Sequence, residues 1–346
     1  MLVTASTILD KPANVRRFVA DNLAMGVDHM IVFLDDPSAD DQDQVADELS
    51  GHPHVTCVPT GKRWWAGDRP RSLNVRQRTN VNLALELVAD MRWAQWVFHV
   101  DGDEVVAADR AVLAAVPTGV DAVWLAPLEC VSRFDATERP TLFKRLLDRS
   151  DLTLLHVLGL ITAPTNSAYF HGHVMGKAGV RTGSGLRLTL HQAVTPAGDQ
   201  VPMYEHAGLR LLHHDAASGE EFVRKWTALL GAGPAKFRKD RAPTAQALRA
   251  LIGKDIPPPV AEKYLRRIYE ATTEDDVTTL QELGLLEEID PGLGTHDPQP
   301  IPEHDRALLA ERIEAMRKAP KQQFHVMQKS RPAKATRRSR RLRAKA

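Results

Sequence analysis

Two short runs with scarcely a polar residue, "HMIVFL" (29–34) and "WVFHV" (96–100), constrain the fold more than anything else in the chain. Both are too short for a buried helix and have the length of buried strands. A strand that is apolar on both sides must be covered on both faces, which is the habit of parallel sheets. The segments between such runs carry helical spacing. Asp10 and Pro12 open one of them, Val15, Phe18, Val19 and Leu23 give it an apolar face, and Gly26 ends it. Residues 41–49 and 71–91 continue the alternation, with strands expected at "LVTASTIL" (2–9), "HVTCVP" (54–59) and "DAVWLAPL" (121–128). Strand-helix-strand repetition of this kind predicts an α/β domain, a mostly parallel Rossmann-like sheet flanked by helices. In such sheets ligands bind beyond the carboxyl ends of the strands.

Beyond residue 143 the pattern is less regular. Gly and His are frequent up to residue 214, and short antiparallel strands are expected there. Helical spacing returns at 220–230, 260–271 and 306–318, separated by "DIPPPV" and "DPGLGTHDPQPIP". The expected division is an α/β domain over 1–230, a helical carboxyl-terminal extension over 231–325 and a basic tail over 326–346. The tail ends in "KSRPAKATRRSRRLRAKA", with many cations and no acid, and is expected to be disordered. A net charge of +1 over 346 residues excludes a polyelectrolyte body. No stretch of about 18 apolar residues is present, so no spanning helix is expected. The first residues read as a strand and not as a leader, and Cys57 and Cys130 lie outside any CxxC pattern. Both points place the chain in the cytoplasm with reduced thiols.

The apolar run at 96–100 ends abruptly in Asp101-Gly102-Asp103-Glu104, and the run at 29–34 ends in Asp35-Asp36. Carboxylates at i and i+2 of a turn can point into one pocket, and glycine between them permits close approach of a ligand. Mg²⁺ and Mn²⁺ are bound by such oxygen ligands together with substrate phosphates. The competing reading is a solvated acidic turn that caps the following helix. Two acidic turns at the ends of neighbouring strands favour the ligand site.

"NVRRFVADNLAMGVDHMIVFLDDPSADD", followed by "WVFHVDGDEVV", resembles the family-2-like glycosyltransferases of the GT-A fold, in the bacterial branch with a D-x-D-E motif. "GHVMGKAGVR" (172–181), "LRLTLHQA" and "LLHHDAASGEEFVRKW" (211–226) extend the resemblance over about residues 1–230. It implies a metal-dependent enzyme moving a sugar from a UDP- or GDP-sugar donor to an acceptor hydroxyl with inversion. The acceptor would be a glycan, a lipid-linked molecule or a small molecule. Carried onto this chain, Asp101 and Asp103, with His213 or His214, would hold Mn²⁺ or Mg²⁺. Thr4, Asp35 or Asp36, Arg71, Gln77, Arg78, Asp101 and Lys177 would line the donor. Glu104 matches the last acid of the motif, with a catalytic role or a bond to a helix start, and Asp215 is a candidate base beside Glu129, Asp135 and Glu205. The usual "E-D" base motif of the family is not evident, which leaves the base open. Trp64 and Trp65 suit either a sugar platform or a core lid.

Two other functions compete. A nucleotidyltransferase on a similar fold would need a Gly-rich loop with Lys or Arg after the first strand, and none is present. A non-catalytic binder of anionic polymers or surfaces would act through the basic tail. Alternatively the tail would hold an enzyme at the inner membrane face, with no specific nucleic acid expected.

Overall fold

The computed structural model describes residues 1–231, 242–329 and 342–343. In chain order the elements are β1 (Leu2–Ile8), α1 (Pro12–Ala24), β2 (His29–Leu34), α2 (Gln42–Ser50), β3 (Val55–Pro59), α3 (Leu73–Leu87), β4 (Trp96–His99), β5 (Glu104–Ala108), α4 (Arg110–Ala114) and β6 (Ala122–Cys130). Then come β7 (Leu142–Arg145), α5 (Arg149–Val157), α6 (Asn166–Tyr169), β8 (Lys177–Arg181), β9 (Arg187–Leu188), β10 (Ala193–Val194), β11 (Tyr204–Glu205) and β12 (Leu209–His213). The remainder contributes α7 (Gly219–Gly231), α8 (Ala242–Ile252), α9 (Pro258–Thr272), α10 (Val277–Glu282), β13 (Leu286–Glu288) and α11 (Glu303–Lys318). Among the described residues no helix is long and apolar enough to cross a membrane. From residue 330 on, the expected basic tail lies outside the described residues apart from 342–343.

The chain forms two compact units, interleaved in sequence. The first comprises residues 1–127, 175–211 and 291–346, the second 128–174 and 212–290. In the first unit β3, β2, β1 and β4 lie side by side and parallel, with Ala5 opposite Ile31 on one side and His99 on the other. Every residue of β1 and β2 is buried, as the apolar runs require. The sheet is mixed and not mostly parallel, because β8 joins β4 antiparallel and β6 joins β8 antiparallel. The chain enters β8 from a glycine turn that sends it back beside β4. At Gly176, φ is +63°, and a Cβ there would run into the Leu125 carbonyl and the Trp124 ring. Val15, Phe18, Val19 and Leu23 of α1 pack in one core with Met30, Val32 and Leu34 of β2, while α3 covers β1.

Residues 291–329 complete the first unit. His296 meets Asp28 at 2.9 Å, Arg312 bonds the Leu87 carbonyl and Asp90, and the Lys321 ammonium lies 4.6 Å from the Trp64 ring centroid. Trp64 and Trp65 are both buried, and Trp64 packs against Phe33, so the pair closes the core. The second unit carries the end of β6, β7 and β13 as an antiparallel ribbon. One of its cores gathers Leu147, Leu152, Leu155, Tyr169 and Leu280, and another Phe222, Trp226, Leu248 and Tyr269.

His29 gives the first unit a measurable acid sensitivity. It is buried in β2, with Nε2 2.8 Å from the Thr56 hydroxyl, and burial, aided by Arg306, lowers its pKa from 6.5 to about 3. The unfolded chain therefore takes up a proton below about pH 6.5 that the folded chain refuses. Stability is present in full above that pH and is lost as pH falls toward about 3, with a slope approaching ~1.4 kcal/mol per pH unit. Urea unfolding at several pH values should show this slope, and His29→Leu should flatten it. An unchanged profile in the variant would assign the acid sensitivity to other groups.

Candidate functional site

The strand order β3-β2-β1-β4 reverses beside β1, and the acidic turns follow β2 and β4, on either side of that strand. Their carboxylates are organised in different ways. Asp35 is 3% exposed and forms a two-pronged pair with Arg76: Nε donates to Oδ1 at 2.6 Å and Nη2 to Oδ2 at 2.5 Å. Arg76 also donates to the carbonyls of Pro70 and Arg71, and Arg69 donates to the Asp35 carbonyl. One guanidinium thus ties the end of β2 to the loop that opens α3. Asp36 turns outward, where hydrogen bonds from Ser38 hold its carboxyl below the usual range.

At the second turn, Asp101 Oδ1 accepts from Gln77 Nε2 at 2.6 Å and Oδ2 accepts from Lys177 Nζ at 2.6 Å. Lys177 is fully buried and also lies 3.3 Å from Glu104 Oε2. Burial works to lower its pKa, but the charges of Asp101 and Glu104 outweigh burial and raise it. Glu104 Oε2 accepts the Asp101 amide at 2.7 Å, so Glu104 closes the turn upon itself. It is fully buried, a position that suits holding the turn. His99, at the end of β4, is 1% exposed; its Nδ1 faces the Leu190 carbonyl at 3.3 Å. Its Nε2 is buried without a hydrogen-bond partner, 3.8 Å from Asp101 Oδ1. Burial, reinforced by Lys177, lowers its pKa to about 4, so the imidazole is neutral at physiological pH.

The expected metal ligands fare unequally. At Asp101 both oxygens accept donors, one from Gln77 and one from the Lys177 ammonium. Asp103 lies half-buried on the same turn. His213 and His214 belong to the second unit. His213 is buried and stacked on His173 at 5.0 Å, while His214 meets the Phe143 ring edge-on. Asp215, also of the second unit, is buried and paired with Lys225. Of the other expected donor contacts, Thr4 is buried in mid-strand, opposite Met30 and Phe98, away from the carboxyl end. Arg71 is exposed, and Arg78 turns to His325 at 3.2 Å. Arg181 caps the Val116 and Val120 carbonyls and stacks on Trp96. Arg76, His99, Lys144 and Asp275 went unnoticed in the sequence; a lysine inside the apolar strand "LFKRLL" is the one signal that was visible.

The division of labour within the turn is testable. Asp101→Asn is expected to leave Mn²⁺ affinity within about twofold, whereas Asp103→Asn lowers it by about tenfold or more. Titration followed by electron paramagnetic resonance of free Mn²⁺ measures both, and the reverse ranking would return the cation to Asp101.

No protein-family model and no curated protein matches the chain. Among solved structures, HddC from Yersinia pseudotuberculosis is similar over 52% of this chain and 76% of its own, at 13% identity and a TM-score of 0.25. The WbbM bifunctional glycosyltransferase, in its apo form, is similar over 52% of this chain and 31% of its own, at 15% identity and a TM-score of 0.22. Likeness this slight settles neither family nor activity.

Proposed function

We propose that the protein is a glycosyltransferase of GT-A type. In this reading the first unit binds a UDP- or GDP-sugar at the carboxyl ends of β1, β2 and β4, and the sugar passes to an acceptor hydroxyl with inversion. One observation carries the reading: two polar constellations, Asp35–Arg76 and Gln77–Asp101–Lys177–Glu104, flank the strand at which the order of the parallel sheet reverses. That is the position where open α/β sheets take nucleotides. Arg76 fixes the loop ahead of α3, so the wall beside the nucleotide is set before binding and little ordering remains to be done. Asp36, outward at the end of β2, would accept from a ribose hydroxyl or a base N–H. Lys177 and Gln77 hold Asp101 and thereby the shape of the turn that presents Asp103. Asp103 would hold a divalent cation, Mn²⁺ or Mg²⁺, which would supply positive charge for the leaving diphosphate.

Thermal unfolding with a panel of nucleoside diphosphates, with and without Mn²⁺, tests the reading on the wild type and on Asp103→Ala. A nucleotide at about 100 times its dissociation constant should stabilise the fold by about 2.7 kcal/mol. Stabilisation by one nucleotide that requires metal and is lost in the variant supports the proposal and names the donor base. No shift with any nucleotide sinks it.

A further inference from the structure

The second unit contains a cavity of about 580 Å³ whose lining includes His171, Asp215, Lys225, Trp226, Thr244 and Thr272. Behind it lies a chain of buried charges. His171 Nε2 is 3.1 Å from Asp275 Oδ1, and Asp275 Oδ2 accepts the Ser132 amide at 2.8 Å. Lys144, fully buried, reaches Asp275 at 3.0 Å and Glu129 at 3.0 Å. Glu129 in turn accepts the backbone amides of His171 and Gly172 at 2.6 and 2.5 Å. The histidine is therefore fixed twice, at its backbone by Glu129 and at its ring by Asp275, while its side chain keeps 19% of its surface exposed. Core packing alone has no need of a partly exposed imidazole clamped at both ends.

We propose that this cavity is a binding site for a neutral polyhydroxylated ligand of the carbohydrate class, with the His171–Asp275 pair as its central hydrogen-bonding group. The lining selects that chemistry. Asp215 and Lys225 are paired with each other, and Glu270 and Glu274 also line the cavity, so an anion would meet excess negative charge. A hydroxyl donates to one and accepts from the other without disturbing the balance. Thr244 adds a hydroxyl, Thr272, whose own proton goes to the Ile268 carbonyl, adds an acceptor, and Trp226 with Leu160 supplies the carbon surface that ring C–H faces require. Asp275 sets which nitrogen of His171 carries the proton, so the imidazole meets a hydroxyl in a defined sense. The inference concerns the second unit alone and is independent of nucleotide binding by the first.

Saturation-transfer nuclear magnetic resonance on the full chain, with methyl α-glucoside, methyl α-mannoside, methyl α-galactoside, maltose and lactose as probes, tests it. At least one probe should receive saturation at its ring protons. His171→Gln should weaken that binding by about tenfold, and Thr272→Val should weaken it less. Urea unfolding of both variants verifies that they are folded, and Thr272→Val, on an exposed wall residue, keeps the test open if His171→Gln is not. Transfer that falls in the folded variants supports the site. No transfer from any probe, or transfer unchanged in the folded variants, overturns it.

Discussion

Lys144→Met is expected to lower the unfolding free energy by about 3–5 kcal/mol near neutral pH, because it leaves two buried carboxylates without their shared cation. Lys144 has no exposed surface, and its ammonium also reaches the Tyr169 carbonyl at 3.1 Å and lies over the Tyr169 ring. Burial alone would lower the lysine pKa, but Asp275 and Glu129 reverse that and raise it. Their effect is mutual: burial works to raise Asp275, while Lys144, His171 and the Ser132 amide hold it down to about 2. In the wild type Asp275 therefore contributes stability above about pH 4, and this is lost as pH falls from about 4 to about 2. In the variant the chief lowering influence is gone and burial prevails, so acid relieves the defect. Urea unfolding at about pH 7.5 and about pH 5 should show the gap between variant and wild type shrinking at the lower pH. A loss below about 1 kcal/mol at neutral pH would mean that water reaches the two carboxylates.

Arg76→Met should have a somewhat smaller effect in the first unit, about 2–4 kcal/mol, because Arg69, 3.2 Å from Asp35 Oδ2, remains as a partial partner. The pair it breaks is bidentate and almost wholly buried, with side-chain exposures of 8% for Arg76 and 4% for Asp35. A second consequence is local. Without the guanidinium, the carbonyls of Pro70 and Arg71 lose their donor, and amide hydrogen exchange over 69–73 should accelerate ahead of the rest of α3. The double variant Asp35→Leu/Arg76→Met removes both charges and should recover at least about 1 kcal/mol over Arg76→Met alone. Full additivity of the two single changes would show that the pair is not energetically coupled. Nucleotide stabilisation in Arg76→Met separates the roles: a loss beyond the change in stability would mean that the loop it ties is part of the pocket.

How far the sequence disclosed this arrangement depended on range. Runs with scarcely a polar residue identified β2 and β4, and the acids after them were correctly read as sitting at strand ends, since burial on both faces leaves a distinctive local pattern. The reversed direction of β8 was not visible. Lys177–Arg181 looks like any short strand, and direction is set by a turn whose Gly176 is one glycine among many. Partners chosen across long separations were equally hidden. Asp35 and Asp36 were named together, but that Arg76 and not Arg71 or Arg78 would take Asp35 depends on which face of α3 meets the sheet, and three cations within eight residues share no distinguishing period. Asp101 was read as a cation ligand because the spacing of the turn permits it. The lysine that bonds it comes from 76 residues away and was not tied to it in the sequence.

The interleaving of the two units also sets an order of events during synthesis. The chain passes between them four times, at 127/128, 174/175, 211/212 and 290/291. Neither can be released as one continuous fragment, and the first cannot close until its last segment has left the ribosome. Until residues 291–329 emerge, Asp28 lacks His296 and the Trp64 face lacks Lys321, while every residue of the second unit has already been made. A nascent chain halted near residue 290 would therefore hold a complete second unit and an unfinished first one. Damage late in the message would strike the part of the protein encoded first.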